Sequence, residues 1–234
     1  MIITETHFAL NNLEGPLLKK GRNVDEKLVR AGKGIDTLTR YASSGGINAD
    51  IVKNVSYDIT DKIMFLPGTA TNEYELHSSE TTRGTIKHTL YKVGSIMEKY
   101  NVLIDTNAGE NDSLSLDALD IADNIVVCLR QNKALIEKAL SNKTLIELSQ
   151  KKGMYFCFSE YDDMSKLNLY NVQKSYKILR GAVGGIPYNT GYSDAISDCD
   201  VLSYLRKTIS LYDPKDARPD DWWRFVDDFT KKIL

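Results

Sequence analysis

The sequence is poor in the residues from which the commonest sites are built. Its 3 cysteines, Cys128, Cys157 and Cys199, have no paired or metal-ligand spacing. That excludes a disulfide framework and a Cys-x-x-Cys zinc site, and fits reduced, buried thiols. The 3 histidines, His7, His77 and His88, fall in a strand end, a loop and a helix with no cysteine near them, so no metal site is expected from them. No Gly-x-Ser-x-Gly elbow is present. No run approaches the roughly 18 apolar residues of a membrane span, and no basic region followed by a long apolar stretch opens the sequence. Together these absences predict a cytoplasmic protein. With 30 basic against 32 acidic residues the net charge is −2, so no global field draws in nucleic acid or anionic lipid. The 13 tyrosines are scattered rather than grouped on a basic face, which excludes a stacking platform for single strands. There is no internal repeat and no low-complexity segment.

What is present is an ordinary globular balance, 42% hydrophobic and 26% charged over 234 residues. The length suits one sizeable core, and residues 1–234 read as a single domain. Residues 1–6 are strand-like. Turn-prone Asn11, Asn12 and Gly15-Pro16 follow, then a charged helix-like stretch at 25–31. Residues 35–41 repeat apolar positions at helical spacing and end at Gly45-Gly46. Asn48 is placed to cap a helix over 49–55. Residues 62–66 form a strand stopped by Pro67-Gly68. Residues 73–83 read as a polar surface loop. Residues 85–100 form the clearest helix, with Ile86, Leu90, Val93, Ile96 and Met97 in one stripe.

The organising stretch is 100–133. Val102, Leu103 and Ile104 form a short apolar run that suits a parallel strand covered on both faces. Asp105 closes it, at the carboxyl end where open parallel sheets place ligand sites. A turn-favouring Asp at a strand end explains the same residue equally well. Asn107, Gly109, Asn111 and Ser113 make a polar loop. A short helix returns through Leu114, Leu116, Ala118, Leu119 and Ile121, and residues 125–129 form a second buried strand. Asp112, Asp117, Asp120 and Asp123 read as solvated caps and turn residues. Residues 133–140 and 144–148 read as one helix or two short helices, and a strand over 154–158 comes next. The segment 182–186 ends in Pro187-Tyr188-Asn189, and residues 201–211 are helical. A final amphipathic helix over 219–234 carries Trp222, Trp223, Phe225, Val226, Phe229 and Ile233. Asp220, Asp221, Asp227 and Asp228 oppose anionic lipid, so this helix is expected to dock on the protein rather than on a membrane. The fold class is α/β, a mostly parallel sheet with helices on both faces.

Val-Leu-Ile-Asp-Thr-Asn-Ala-Gly at 102–109, followed by Ala-Leu-x-x-Ala-Asp and Ile-Val-Val, resembles the ParA/MinD family of P-loop ATPases. Leu66-Pro67-Gly68 and Ile186-Pro187-Tyr188-Asn189 are similar to strand ends of the same family. The resemblance implies that Asp105 acts on magnesium or on its bound water. It implies that Gly109 senses the terminal phosphate and that Asn107 contacts water or a partner. Pro187, Tyr188 and Asn189 would border the nucleotide base, although Pro187 as a plain strand stop explains the same residues. Complete members bind ATP with Mg2+ and dimerise across the nucleotide, so the resemblance implies a protein partner and a homodimer. Their roles lie in positioning, partitioning or assembly.

The family's first strand, phosphate loop and first helix would lie before Met1. A phosphate loop needs glycines that aim N–H groups at phosphate and a lysine beside a helix start. Gly32-Lys33-Gly34 lacks that spacing and reads as a turn flanking a helix. Without the loop, intrinsic ATP hydrolysis is expected to be weak or absent. The alternative class is a non-catalytic α/β interaction or regulatory module that holds no cofactor and binds a partner through the Asp105 loop.

Overall fold

The computed structural model of the protein describes residues 1–6, 32–69, 80–106, 113–179, 181–216, 218 and 221–233. The turn at Gly15-Pro16, the helix-like stretch 25–31, His7, His77, Asn107 and Gly109 lie outside the described residues. The chain divides into two compact units, Met1–Ile121 with Ser197–Val201, and Ala122–Ile196 with Leu202–Leu234. Each is described by itself.

The first unit holds β1 (Ile2–Glu5), β2 (Tyr57–Asp58), β3 (Met64–Leu66) and β4 (Val102–Asp105), in the order β2-β3-β1-β4. β1 runs parallel to both β3 and β4, and β2 pairs antiparallel with β3. Its helices are α1 (Ile35–Ser44), α2 (Ala49–Asn54), α3 (Glu80–Ile96) and α4 (Ser113–Ile121). Asn48 caps α2 as its sequence position predicts, its Oδ1 accepting from the Ile51 N–H at 2.9 Å. Ile86, Leu90 and Val93 of α3 and Met97 just beyond it pack with Ile2, Leu38 and Leu66 in the core. Each such side chain contributes about 1.5–3 kcal/mol by leaving water.

Two expectations change here. The polar stretch expected as a loop to residue 83 is already helical from Glu80. Arg83 therefore sits on α3 and reaches across to α4. β4 is not covered on both faces: it pairs only with β1 among the described residues, and Leu103 is 55% exposed. An apolar run reports that a strand suits burial, but its neighbours are chosen by chain connections that the run does not encode.

The second unit holds β5 (Asn124–Leu129), β6 (Gly153–Ser159) and β7 (Val183–Ile186), all parallel and in that order. With it go α5 (Lys133–Ser141), α6 (Lys143–Ser149), α7 (Leu169–Ser175), α8 (Thr190–Ser197), α9 (Val201–Ile209) and α10 (Trp222–Ile233). Asparagines start three of these helices. The Oδ1 atoms of Asn132, Asn142 and Asn168 accept from the N–H groups of Leu135, Leu145 and Asn171 at 3.2, 3.0 and 3.0 Å. Ile136, Phe156, Phe158, Val172, Leu179 and Val183 form the core of this unit.

Helix α10 docks on β7, as its amphipathic pattern predicts. Phe229 lies against Gly184, where a Cβ would overlap its ring. Lys232 Nζ donates to the Val183 carbonyl at 2.8 Å, and Trp222 Nε1 donates to the Pro187 carbonyl at 3.0 Å. The cysteine expectation holds only in part, because Cys157 is buried whereas Cys128 is exposed. Cys128 lies on β5, which among the described residues pairs only with β6. No helix among the described residues is long and apolar enough to cross a membrane.

Candidate functional site

The carboxyl ends of β1, β3 and β4 lie together in the first unit, because all three strands are parallel and in register. Glu5 ends β1 and Asp105 ends β4, and the two are Cα partners. Register partners on parallel strands present their side chains to the same face. Glu5 is 3% exposed, whereas Asp105 is exposed. Burial raises the pKa of the Asp105 carboxyl above its ordinary value, and a hydrogen bond from the Thr106 backbone opposes this without overcoming it. Since the residue as a whole stays exposed, the effect is local crowding of the carboxyl group rather than enclosure.

Hydrogen bonds link the chain segments at this end of the sheet. The Thr6 N–H donates to the Asp105 carbonyl at 2.9 Å, and the Thr69 N–H donates to the Thr6 carbonyl at 3.2 Å. Thr69 Oγ1 donates to Asp36 Oδ1 at 2.5 Å, which ties the end of β3 to the first turn of α1. The Thr6 hydroxyl is fully buried and has no hydrogen-bond partner among the described residues. The chain crosses closely at this point. Gly34 has φ +85°, and a Cβ there would lie 2.9 Å from the Pro67 carbonyl oxygen. Only glycine fits both the left-handed backbone and the approach.

Lys33 is committed elsewhere. Its Nζ donates to the carbonyls of Asn54 and Ser56 at 2.6 and 2.9 Å and lies 5.4 Å from the Tyr57 ring centroid. Gly32-Lys33-Gly34 is the turn before α1, as expected, and presents no free ammonium to a phosphate. The donor set fits a hard, hydrated cation better than it fits phosphate. The two carboxylates are oxygen ligands of the kind Mg2+ takes, while the described residues supply no glycine-rich N–H cradle. No group of three or more His, Cys, Asp or Glu side chains placed to hold a metal occurs among the described residues.

Asp117 is placed differently from the solvated role its sequence suggests. It is 7% exposed on α4. Arg83 grips it with two hydrogen bonds, Nε to Oδ2 at 2.7 Å and the second nitrogen to Oδ1 at 3.0 Å. Lys87 adds a contact at 3.3 Å and also bridges to Asp120 at 2.8 Å. The helix that follows the Asp105 loop is thereby held against α3.

The other sequence candidates, Pro187, Tyr188 and Asn189, lie in the second unit, just after β7. The Pro187 carbonyl is taken by Trp222. Asn189 Oδ1 accepts from the Tyr192 N–H at 2.9 Å and from the Tyr204 hydroxyl at 2.8 Å. What stays available is the Tyr188 ring, 60% exposed, and the Asn189 amide N–H groups. Sequence reasoning missed Glu5 and Thr6. Glu5 carries the signal that marked Asp105, an acid closing a short apolar run.

No protein-family model matches the chain, and no curated protein matches it. Solved structures do. A ParA family ATPase from Chlorobium tepidum superposes with a TM-score of 0.62 at 9% identity, over 98% of this chain and 84% of that one. A putative plasmid partition protein from Borrelia burgdorferi, solved bound to AMPPNP, gives 0.56 at 14% identity, over 99% and 86%. The MinC:MinD cell division complex of Aquifex aeolicus gives 0.55 at 14%, over 94% and 85%. At these identities the likeness is one of architecture, and the architecture of this chain is the ParA/MinD-like P-loop ATPase fold.

Proposed function

We propose that this protein is a positioning or partitioning factor of the ParA/MinD type, and that Asp105 is the acid that directs metal or water at its nucleotide site. The observation that carries the reading is the placement of Asp105. It is an exposed carboxylate of raised pKa at the carboxyl end of a parallel strand, in register with the buried Glu5. Parallel sheets gather ligands at that end. Glu5 adds a second carboxylate of the kind Mg2+ takes, and Mg2+ supplies charge neutralisation to a polyphosphate when bound. Gly109 and Asn107, outside the described residues, take the phosphate-sensing and water- or partner-contacting roles. Tyr188 and Asn189 border the base. The protein works in the cytoplasm with a protein partner and as a homodimer, with ATP and Mg2+ as ligands and weak intrinsic hydrolysis.

A second reading draws on Lys33. Its ammonium is spent on two backbone carbonyls, and the described residues offer no phosphate cradle. This favours a non-catalytic module that uses the same sheet end to bind a protein.

Calorimetry separates the two. ATP titrated into the protein with Mg2+ gives saturable heat under the first reading. Asp105→Asn then weakens binding at least tenfold in Mg2+ and far less in EDTA. No heat at millimolar nucleotide overturns the nucleotide reading in favour of the module.

A further inference from the structure

We propose that Cys128 and Cys157 form a two-thiolate site for a soft metal ion that is satisfied by two sulfur ligands, Cu(I). The inference rests on the pairing of β5 with β6 inside the second unit and does not depend on nucleotide binding.

Strand register brings together two thiols that lie far apart in the sequence. Cys128 of β5 and Cys157 of β6 are Cα partners, and Cys157 is in turn the partner of Gly184 on β7. Partners in a parallel ladder present their side chains to one face. Cys128, Cys157 and the bare Cα of Gly184 therefore form a row across the sheet. Phe229 of α10 lies on Gly184, so the inner end of the row is apolar. Cys157 is buried, Cys128 is exposed, and neither is in a disulfide.

The spacing selects among the reactions open to two thiols. Adjacent strands lie about 4.8 Å apart, and their side chains stand roughly perpendicular to the sheet. The two Cβ atoms are therefore separated by one strand spacing. A disulfide holds its Cβ atoms about 3.8 Å apart. Closing one here would draw the strands together by roughly 1 Å. A bridging ion needs no such movement, because two metal–sulfur bonds of about 2.3 Å reach across as much as about 4.6 Å.

The donors name the ion. Zn2+ takes at least three protein ligands, and no group of three or more His, Cys, Asp or Glu side chains is placed to hold a metal among the described residues. Mg2+ and Ca2+ take oxygen. Thiolate is a soft donor that selects Cu(I), and Cu(I) is stable with two such ligands. Binding displaces the thiol protons. The charge of the ion then offsets that of the thiolates, which the burial of Cys157 would otherwise oppose.

The test uses the full chain, reduced and kept free of oxygen, with Cu(I) supplied as its bicinchoninate complex. The protein is expected to withdraw one ion per chain, read as loss of the complex's colour. Loading should protect Cys128 from alkylation, read by mass spectrometry, and X-ray absorption should find two sulfur neighbours around the copper. Cys128→Ser, a change at an exposed position, should weaken binding at least tenfold, whereas Cys199→Ser should leave it unchanged. With 3 cysteines in the chain, that pair of results leaves Cys157 as the second thiolate. No withdrawal of copper from the complex overturns the proposal, as does undiminished binding by Cys128→Ser or lost binding by Cys199→Ser. Half an ion per chain also overturns it, since Cys128 of two copies then shares the metal.

Discussion

Glu5 and Asp105 are register partners on adjacent parallel strands, yet one is buried and the other exposed. The arrangement places two acids on one face at the end of the sheet, one enclosed and one at the surface. Crowding raises the pKa of Asp105, so its charged form is disfavoured in the folded protein.

The first prediction is a pH dependence. A carboxyl whose pKa is higher folded than unfolded holds its proton longer in the native state, so stability falls as pH rises from the unfolded value through the folded one. Asp105→Asn removes the ionisation. Thermal melts should show the variant more stable than the parent at neutral pH, with the difference vanishing below the ordinary carboxylate range. A variant less stable than the parent at pH 7 contradicts the crowding argument.

A second prediction concerns the clamp between α3 and α4. Arg83→Ala leaves Asp117, 7% exposed, with Lys87 as its remaining cation, and should cost about 1–3 kcal/mol by urea unfolding. Lys87→Ala should cost less, because Arg83 keeps both of its hydrogen bonds to Asp117. Arg83→Lys should recover little, since an ammonium does not reproduce the fork. Equal costs for Arg83→Ala and Lys87→Ala would contradict a bidentate grip.

The glycines supply opposite outcomes. Gly184→Ala drives a methyl group into the Phe229 ring and should cost about 1–3 kcal/mol. Trimming the ring in the double variant Gly184→Ala, Phe229→Leu should recover part of that. Gly94, inside α3 with nothing within 4 Å of its Cβ position, should stabilise by about 0.5–1 kcal/mol on change to Ala. Chemical denaturation of the three variants checks both signs.

Thiol chemistry tests the exposure of Cys128 on β5. Cys128 and Cys157 are register partners on β5 and β6, but only Cys128 is exposed. Burial, with a smaller contribution from Cys128, pushes the Cys157 thiol up to about 12. At pH 8 its thiolate fraction is then on the order of 10⁻⁴. Mass spectrometry after brief alkylation should find Cys128 labelled in the native protein and Cys157 only after denaturation. Equal labelling of the two would show that β6 is not enclosed.

Much of the local structure follows from sequence alone. Asn48 marks a helix start because its side chain competes for a free backbone N–H three residues on, and that contest is settled within one turn. The stripe through Ile86, Leu90 and Val93 announces a buried helix face for the same local reason. The acid after Val102-Leu103-Ile104 marks a strand end, and the amphipathic pattern around Phe229 foretells that the last helix packs on the protein. The pairing of Glu5 with Asp105 belongs to tertiary structure, because it joins residues a hundred positions apart through the order of strands. The same holds for Arg83, which reads as a loop residue until α4 supplies Asp117 as its partner. It holds again for β4, whose apolar run specifies an affinity for burial without specifying what buries it. Periodicity and capping act over a few residues and are written in the sequence. Register, edge position and the partners of a buried charge depend on how long connections close, and only the folded chain decides them.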